Sequence, residues 1–450
     1  MSNRRVRVLL VSTYELGHQP FGIASPVSWL VESGVEVSCL DLSRQPLDAD
    51  FTQVDFVGFY LPMHTATRLA VPVINRVKQR NPDACIFCFG LYAPLNASYL
   101  KSVGVDQILG PEFEKDLVAF VKGKEVSEWS LQKKERIPRL EFKVPDRRAL
   151  PSLSEYARLQ KQGESCVVGY TESSRGCKHH CAHCPIVPIY NGQFRIVATD
   201  VVIADIRAQV REGAQHITFG DPDFFNGTKH AIEIVESLER EFDGLTYDVT
   251  IKVEHLLRHR ELLSLLKRTG CLFVTTAVES FDDYVLQQLR KGHTKDDIRQ
   301  MLQECDAVGL SVSPTFVPFN PWTSISGYCR FLADIDRLGI VESVASIQLV
   351  LRLLLPESSP LLMNASISEV IDPFDSEKLV YPWKHSDSKV EDFSHTIGAV
   401  VSENLDLPRS EVFEKVWAAA YAVSGCIEPD RINIFSSRSE VPYLNEPWYC

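Results

Sequence analysis

Three cysteines lie within eight residues of one another in the segment SSRGCKHHCAHCP (173–185), where Cys177, Cys181 and Cys184 are spaced C-x3-C-x2-C. Thiolates are soft ligands that favour iron–sulfur clusters or zinc over hard cations. Three thiolates hold three irons of a cubane cluster and leave the fourth iron open, and an open position is what a catalytic metal centre needs. We therefore expect an iron–sulfur cluster on these three cysteines.

The interleaved histidines provide the alternative. A zinc knuckle would recruit His179, His180 or His183 as a fourth ligand. C-x3-C-x2-C is not a common zinc spacing, however, and no second C-x2-C pair follows at the distance of a zinc ribbon. We expect these histidines to face solvent or to surround the ligands.

Composition excludes several classes of function. The 450 residues carry a formal net charge of −12 and no basic block, which argues against a nucleic-acid partner. No apolar run approaches the length that spans a bilayer, so no membrane partner is expected. The apolar start RVRVLLVST is short and β-branched and reads as a strand, so we expect a cytoplasmic protein in which the 12 cysteines stay reduced.

The strands and helices that must position the cysteines form two alternating series along the chain. Over residues 1–125, strands such as RVRVLLVST and ACIFCFG alternate with helices, including one over 67–80, which predicts a doubly wound, Rossmann-like α/β domain. Residues 126–160 are charged, contain several prolines and read as a linker.

The second alternation covers residues 161–360. Six strands, from CVVGYTES to VASIQLVLRL (344–353), predict a partial (β/α)6 TIM barrel. The cysteine loop follows its first strand, at the edge where barrels collect their functional groups. Residues 361–450 read as a mixed C-terminal segment with a helix at 409–423.

The cysteine loop at the end of a first barrel strand resembles the radical SAM superfamily, in which the open iron of a [4Fe–4S] cluster binds S-adenosylmethionine (SAM) and reduction cleaves SAM to a 5′-deoxyadenosyl radical. Further segments match in order: TFGDPDFF (218–225), TIKVEHLLR (250–258), VTTAVES (274–280) and LRKGHT (289–294). Asp221 stands where that family usually has glutamate. The resemblance implies that SAM is contacted by Gly220, Asp221, Pro222, Lys252, Glu254, Glu279 and Ser280.

A doubly wound domain before such a barrel resembles the cobalamin-binding domain of B12-dependent radical SAM enzymes. The family's Asp-x-His-x-x-Gly cobalt-ligand motif is absent, since Glu15, His18 and Gly22 have the wrong spacing. Ligands of such sheets lie at the carboxyl ends of the strands. If cobalamin binds, the resemblance places it near Tyr60, Pro62, Gly90 and Pro94. The other possibility is that the domain serves only as a scaffold.

The closing segment PYLNEPWYC, together with RGCKHHCAHCP and HITFGDPDFFNG, resembles the CUAEP/CCAEP-tail radical SAM (seleno)proteins. In that family, selenocysteine or cysteine and then Ala-Glu-Pro follow this last cysteine. The resemblance implies a catalytic role for Cys450 as one half of a chelating or redox pair, and an in-frame UGA codon after it.

The sequence therefore predicts a radical SAM enzyme that acts on a small molecule, with a [4Fe–4S] cluster, SAM, and an electron donor such as flavodoxin or ferredoxin, and with cobalamin as a further cofactor in one of two versions. One version is B12-dependent methyl transfer. The other is B12-independent radical transfer, for example of an aminocarboxypropyl group to arsenic or selenium. The alternative from another class is a non-catalytic metal-binding module.

Overall fold

A computed structural model describes residues 5–48, 50–127, 129, 137–161, 163–431 and 441–446. In its N-terminal part, the strands are β1 (Arg7–Ser12), β2 (Glu36–Asp41), β3 (Phe56–Tyr60), β4 (Cys85–Phe89) and β5 (Gln107–Ile108). The helices are α1 (Phe21–Glu32), α2 (His64–Arg80), α3 (Tyr92–Leu95), α4 (Ala97–Ser102) and α5 (Glu114–Val121).

These strands form one parallel sheet in the order β2-β1-β3-β4-β5. Separate clusters of buried apolar side chains cover its two faces, which is why its strands are near-continuous apolar runs. The strand order reverses direction beside β1, so β1 and β3 flank the switch point where such sheets bind ligands. The predicted doubly wound fold is confirmed.

The second part begins at β6 (Arg158–Lys161). The strands that follow are β7 (Glu164–Thr171), β8 (Ser174–Gly176), β9 (Phe194–Ile196), β10 (His216–Phe219), β11 (Thr246–Thr250), β12 (Cys271–Glu279), β13 (Ser311–Phe316) and β14 (Tyr443–Leu444). Helices of the barrel are α6 (Ile186–Tyr190), α7 (Thr199–Arg211), α8 (Thr228–Glu241), α9 (Val253–Arg258), α10 (Leu263–Arg268), α11 (Asp283–Gln288), α12 (Lys295–Ala307) and α13 (Ile325–Arg337). The C-terminal segment contributes α14 (Ala365–Ser368), α15 (Ser388–Ser402) and α16 (Arg409–Ser424).

The second sheet has the order β13-β12-β11-β10-β7-β6-β14, with β7 and β10 to β13 all parallel. This curled half-barrel confirms the predicted partial TIM barrel. Apolar side chains of α15 and α16, such as Phe393 and Trp417, join its core, so the C-terminal segment packs against the barrel.

The sixth strand predicted over 344–353 is wrong in its extent. This segment has a 3-10 turn at Ser346–Leu349 and a single parallel bridge between Phe319 and Arg352. Arg352 instead stacks on Trp383, with its guanidinium 3.6 Å from the ring centre, and pairs with Glu391 of α15. Contacts with the C-terminal segment therefore replace strand pairing there.

At the opposite edge, the antiparallel strands β6 and β14 extend the sheet beyond β7. No helix in the described ranges combines the length and the apolar character that crossing a bilayer requires.

Candidate functional site

The cysteine loop is held at its base by the antiparallel ribbon of β8 and β9, in which Gly176 pairs with Phe194. Gly176 has φ +78°, and a Cβ there would meet the Tyr190 ring at 2.3 Å, so only glycine fits. Farther along, the backbone N–H of Ala182 donates to the carbonyl of Leu289 at 2.8 Å. Both ends of the loop are thus fixed to the barrel.

The three thiols lie close enough to influence one another. The pKa of Cys184 is raised to about 12, mainly by burial, and negative charge on Cys181 and Cys177 contributes to the rise. Burial is also the largest cause of the raised pKa of Cys177. Without a metal the group would resist ionisation, whereas a bound cation offsets repulsion among thiolates. The structure thus brings the predicted ligands together in a partly buried group that suits a metal cluster.

Asn226 is a neighbour of the cysteines that the sequence analysis did not single out. Its Oδ1 atom accepts from the backbone N–H of Lys178 at 3.2 Å and lies 3.9 Å from the Cys177 sulfur. Asn226 is fully buried just after β10, so it joins the start of the loop to the neighbouring strand.

Two histidines of the loop pair with carboxylates at strand ends and do not face solvent. His179 Nε2 lies 3.1 Å from Asp223 Oδ2, and its Nδ1 lies 3.3 Å from Lys252 Nζ. Asp223 also contacts His255. Burial raises the pKa of Asp223, but the two imidazoles outweigh burial and leave the pKa below its ordinary value.

His183 makes the second such contact, to Glu279 at the end of β12. Lys291 Nζ lies 3.3 Å from the same carboxylate oxygen. Burial raises the pKa of Glu279, yet Lys291 and His183 together lower it to about 2. Glu279 is therefore an ionised anchor of the loop. His180, in contrast, is exposed.

Asp221 is 2% exposed, and both of its carboxylate oxygens accept hydrogen bonds. Ser173 donates to it through its backbone N–H at 2.9 Å and its hydroxyl at 2.7 Å, and the Ser174 hydroxyl donates at 2.5 Å. Burial raises the pKa of Asp221 to about 6 despite these hydrogen bonds. Asp221 thereby links the end of β10 to the start of the cysteine loop.

The other residues predicted to contact SAM surround this edge. Lys252 and Glu254 form an ion pair at 3.4 Å, beside the position of Gly292. Gly220 packs against the Tyr170 hydroxyl, and Pro222 is half-buried. The Ser280 hydroxyl accepts from the backbone N–H of Asp282 at 3.1 Å, before α11.

In the N-terminal domain, the residues predicted to lie near cobalamin are largely covered. Tyr60, Gly90 and Pro94 are buried, and Pro62 is half-buried. His18 is also buried, with its ring 4.7 Å from that of Tyr170 in the barrel. His18 therefore lies in the loop after β1 and packs its ring against the barrel.

Orphaned polar atoms remain at that edge. Ser12 Oγ at the end of β1, Glu15 Oε2 and Asn96 Oδ1 are buried without a hydrogen-bond partner in the described part of the chain. Polar atoms of this kind fit a ligand that supplies hydrogen bonds.

Arg175 joins the two domains next to the cysteine loop. Its guanidinium lies 2.8 Å from Glu114, 2.8 Å from Glu172 and 3.6 Å from Glu112. Glu112 and Glu114 belong to the N-terminal domain, so a buried ion cluster connects that domain to the loop. Cys450, the residue predicted as catalytic, lies outside the described residues.

Residues 171–323 match the family described as the radical SAM superfamily. The chain therefore carries a radical SAM domain, and this covers the cysteine loop, α7 to α12 and the strand ends described above. The principal resemblance found in the sequence is confirmed, while the likeness of the tail stays a prediction.

Two solved structures resemble the whole chain. The cobalamin-dependent SAM radical enzyme OxsB, solved with aqua-cobalamin, superposes with a TM-score of 0.70 at 14% identity over 94% of this chain and 72% of OxsB. TsrM from Kitasatospora setae, solved with cobalamin and a [4Fe-4S] cluster, gives a TM-score of 0.63 at 15% identity over 92% of this chain and 100% of TsrM. At these identities the likeness establishes the fold.

Curated relatives align over shorter lengths. Hopanoid C-3 methylase of Methylococcus capsulatus is 24% identical over 72% of this chain and 66% of its own length. Bacteriochlorophyllide d C-12(1)-methyltransferase of Chlorobaculum tepidum is 25% identical over 36% of this chain and 33% of its own length. The chain thus spans between about a third and two-thirds of these relatives.

Proposed function

We propose that this protein is a radical SAM enzyme that transfers a methyl group to a small molecule with the help of cobalamin. The observation that carries the proposal is the fixed cysteine loop, held between two histidine–carboxylate contacts at the mouth of a half-barrel. The names of the relatives support methyl transfer, since they include a hopanoid methylase and a bacteriochlorophyllide methyltransferase.

The cluster would be held by Cys177, Cys181 and Cys184. Three thiolates leave one iron of a [4Fe–4S] cluster free to bind SAM, and the reduced cluster supplies the electron that cleaves it. This chain's own contribution is to fix the loop. Asn226 and Asp221 hold its start, while His179 and His183 hold its middle and end.

SAM would lie along the carboxyl edge beside the cluster. Lys252 and Glu254 are partly exposed there and offer one positive and one negative group to SAM's carboxylate and ribose hydroxyls. Glu279 already contacts His183 and Lys291, so we assign it the role of orienting these two side chains. Asp221 is assigned a positioning role through Ser173 and Ser174.

Cobalamin would bind at the carboxyl edge of the first sheet, where Ser12, Glu15 and Asn96 present orphaned polar atoms. Among the described residues there, His18 is turned into the barrel, so we expect no protein imidazole on cobalt.

The second candidate is radical transfer without cobalamin, such as aminocarboxypropyl transfer. The burial of Tyr60, Gly90 and Pro94 favours it, because a covered edge is expected of a domain kept as a scaffold.

Anaerobic turnover with SAM and a low-potential reductant tests the proposal. A reductively active radical SAM enzyme forms 5′-deoxyadenosine, and a methyltransferase also forms S-adenosylhomocysteine. Formation of neither product by protein that carries its full cluster would refute the proposed enzyme. 5′-Deoxyadenosine or methylthioadenosine without S-adenosylhomocysteine would favour the second candidate.

A further inference from the structure

His179, Asp223 and His255 converge on one point beside the cysteine loop. The three groups come from different elements: the loop itself, the segment after β10, and α9. One nitrogen from each imidazole faces the same carboxylate oxygen, at 3.1 Å from His179 Nε2 and 2.8 Å from His255 Nδ1. All three ligand atoms lie within 4.8 Å of one another.

The carboxylate is oriented by its other oxygen. Asp223 Oδ1 accepts from the backbone N–H of Phe225 at 3.0 Å, which fixes Oδ2 toward the two imidazoles. Asp223 is 1% exposed and His255 is 3% exposed, so water does not easily solvate either group. A single carboxylate oxygen held in this way is a monodentate ligand.

His255 supplies the second, independent observation. Its Nδ1 atom is buried and lies 2.8 Å from Asp223 Oδ2, close enough for an ion pair, but the contact does not have hydrogen-bond geometry in the described part of the chain. The nitrogen and the carboxylate oxygen thus face each other without completing a hydrogen bond, which costs stability in a buried site. A cation between the imidazole and the carboxylate satisfies both lone pairs at once.

We propose that His179, Asp223 and His255 form a mononuclear site for a divalent transition-metal ion, zinc or iron(II), separate from the three cysteines. Zinc lies about 2.0–2.2 Å from imidazole nitrogen and carboxylate oxygen, which puts the ligand atoms of a tetrahedral ion roughly 3.4 Å apart. The two imidazole–carboxylate separations, 3.1 and 2.8 Å, are shorter than this, so the side chains would move apart by a few tenths of an ångström to admit the ion. Two imidazoles and one carboxylate leave at least one coordination position for water or substrate.

The surroundings provide a partner for the outer nitrogen of His179. A metal on Nε2 requires a proton on Nδ1, and carboxylates commonly accept that proton in metal sites. Glu254 Oε2 lies 3.9 Å from Nδ1 and is already paired with Lys252. With a proton on Nδ1, His179 no longer accepts a hydrogen bond from Lys252, and Lys252 would keep only its ion pair with Glu254.

The test uses the full chain with its cluster reconstituted, so that the cysteines are already occupied. The protein is incubated anaerobically with zinc sulfate and desalted, and zinc and iron are counted by mass spectrometry. We expect about one zinc per chain, with X-ray absorption at the zinc edge showing only nitrogen and oxygen ligands. His255→Ala and Asp223→Asn should lose at least tenfold in zinc affinity, and Glu254→Gln about tenfold.

His259→Ala is the matched control, because this neighbouring histidine has its ring 5.9 Å from that of His255 and is outside the triad. It should keep the zinc. Iron content and thermal melting of the zinc-free proteins show that the variants are folded, and His255→Asn provides a smaller change should His255→Ala melt early. No retained zinc, sulfur ligands in the absorption spectrum, or undiminished zinc in folded His255 variants would each overturn the site. Iron content and SAM cleavage are read separately, so loss of this proposal is distinguishable from loss of the proposed enzyme.

Discussion

His183 Nε2 lies 3.1 Å from Glu279 Oε1, and Lys291 Nζ reaches the same oxygen at 3.3 Å. This shared oxygen connects the residue before the third cysteine to the end of β12 and to the segment after α11. All of these groups except the His183 ring are almost fully buried. The loop is therefore held by charge as well as by backbone.

Glu279→Gln should lower the free energy of unfolding of the cluster-free protein by about 3 kcal/mol at neutral pH, because it leaves Lys291 buried without its counter-charge. The folded-state pKa of Glu279 is about 2, below its ordinary 4.5, so its contribution is full above pH 4.5 and is lost as the pH falls toward 2. Urea titrations at several pH values should show the difference from wild type narrowing in that window.

Glu239→Gln is the control for this variant, since Glu239 pairs with Arg268 at the surface. Surface pairs contribute about 0–1 kcal/mol. An equally large loss in both variants would contradict the role assigned to Glu279.

Asp221 allows the direct and the positioning roles to be separated. Asp221→Ala removes the acceptor of Ser173 and Ser174 and should weaken SAM binding about tenfold or more. Asp221→Asn keeps hydrogen-bonding capacity, since a serine hydroxyl also accepts, and should change SAM affinity by less than about threefold. Equilibrium dialysis with cluster-loaded protein measures both, and an equal loss in the two variants would indicate direct contact with SAM's ammonium group.

The general architecture could be read from the sequence because parallel strands buried on both faces are apolar runs between helices. RVLLVS and CIFCF have this pattern, and both are strands. Segment 344–353 is similarly apolar, yet the structure describes one bridge there, between Phe319 and Arg352, and a stack of Arg352 on Trp383 that no local sequence pattern reveals. The pairing of β6 with β14 joins Gln160 to Tyr443, and no local sequence pattern predicts contact between segments so far apart in the chain.

The site was predictable to the extent that its groups are adjacent in the chain. The cysteines share one loop, and the confirmed domain contains them. Asp223, Asn226 and Arg175 were missed because their partners are distant in sequence: Asn226 is 49 residues from Cys177, and Asp223 is 44 residues from His179. Asp223 lies two residues beyond the predicted Asp221, and this closeness in sequence was the signal that could have identified it as a site residue.

The cluster prediction concerns each cysteine separately. Cys177→Ala, Cys181→Ala and Cys184→Ala should each abolish SAM cleavage and reduce bound iron, because the remaining thiolates no longer complete the three-iron set. Iron and sulfide analysis with electron paramagnetic resonance after anaerobic reconstitution measures this. Cys166→Ala, which changes a half-buried cysteine near the start of β7, should retain a full cluster. Full cluster content in any of the three variants would contradict the ligand assignment.

Arg175 should be essential for joining the domains. Arg175→Met leaves Glu114 and Glu172 buried without a cation and should destabilise the cluster-free protein by about 3–5 kcal/mol. Arg148→Met, which breaks an exposed pair with Asp146, should change stability by about 1 kcal/mol or less. Urea unfolding compares them, and similar values for both would show that the ion cluster is dispensable.

The same cluster predicts a pH dependence. Burial raises the pKa of Glu112 to about 7, although Arg175 opposes this. Between pH 4.5 and 7 the folded protein holds a proton on Glu112 that the unfolded chain has lost. The free energy of unfolding should therefore fall as the pH rises from 4.5 to 7. Glu112→Gln should flatten the wild-type curve in that window, and an unchanged slope would contradict the assignment.

Cobalamin binding is the remaining prediction. Hydroxocobalamin titrated into the cluster-loaded protein should bind saturably in the base-off form, with its nucleotide tail along the carboxyl edge of the first sheet. The absorption spectrum should show no histidine ligand on cobalt, because the domain lacks the Asp-x-His-x-x-Gly ligand motif. His18→Ala should leave that spectrum unchanged, since the His18 ring packs 4.7 Å from Tyr170 in the barrel. Asn96→Ala removes a buried acceptor at the sheet's ligand edge and should weaken cobalamin binding by about fivefold to tenfold. A histidine-ligated spectrum that disappears in His18→Ala would overturn the placement of His18. If cobalamin does not bind saturably, the domain is a scaffold and the cobalamin-independent reaction is favoured.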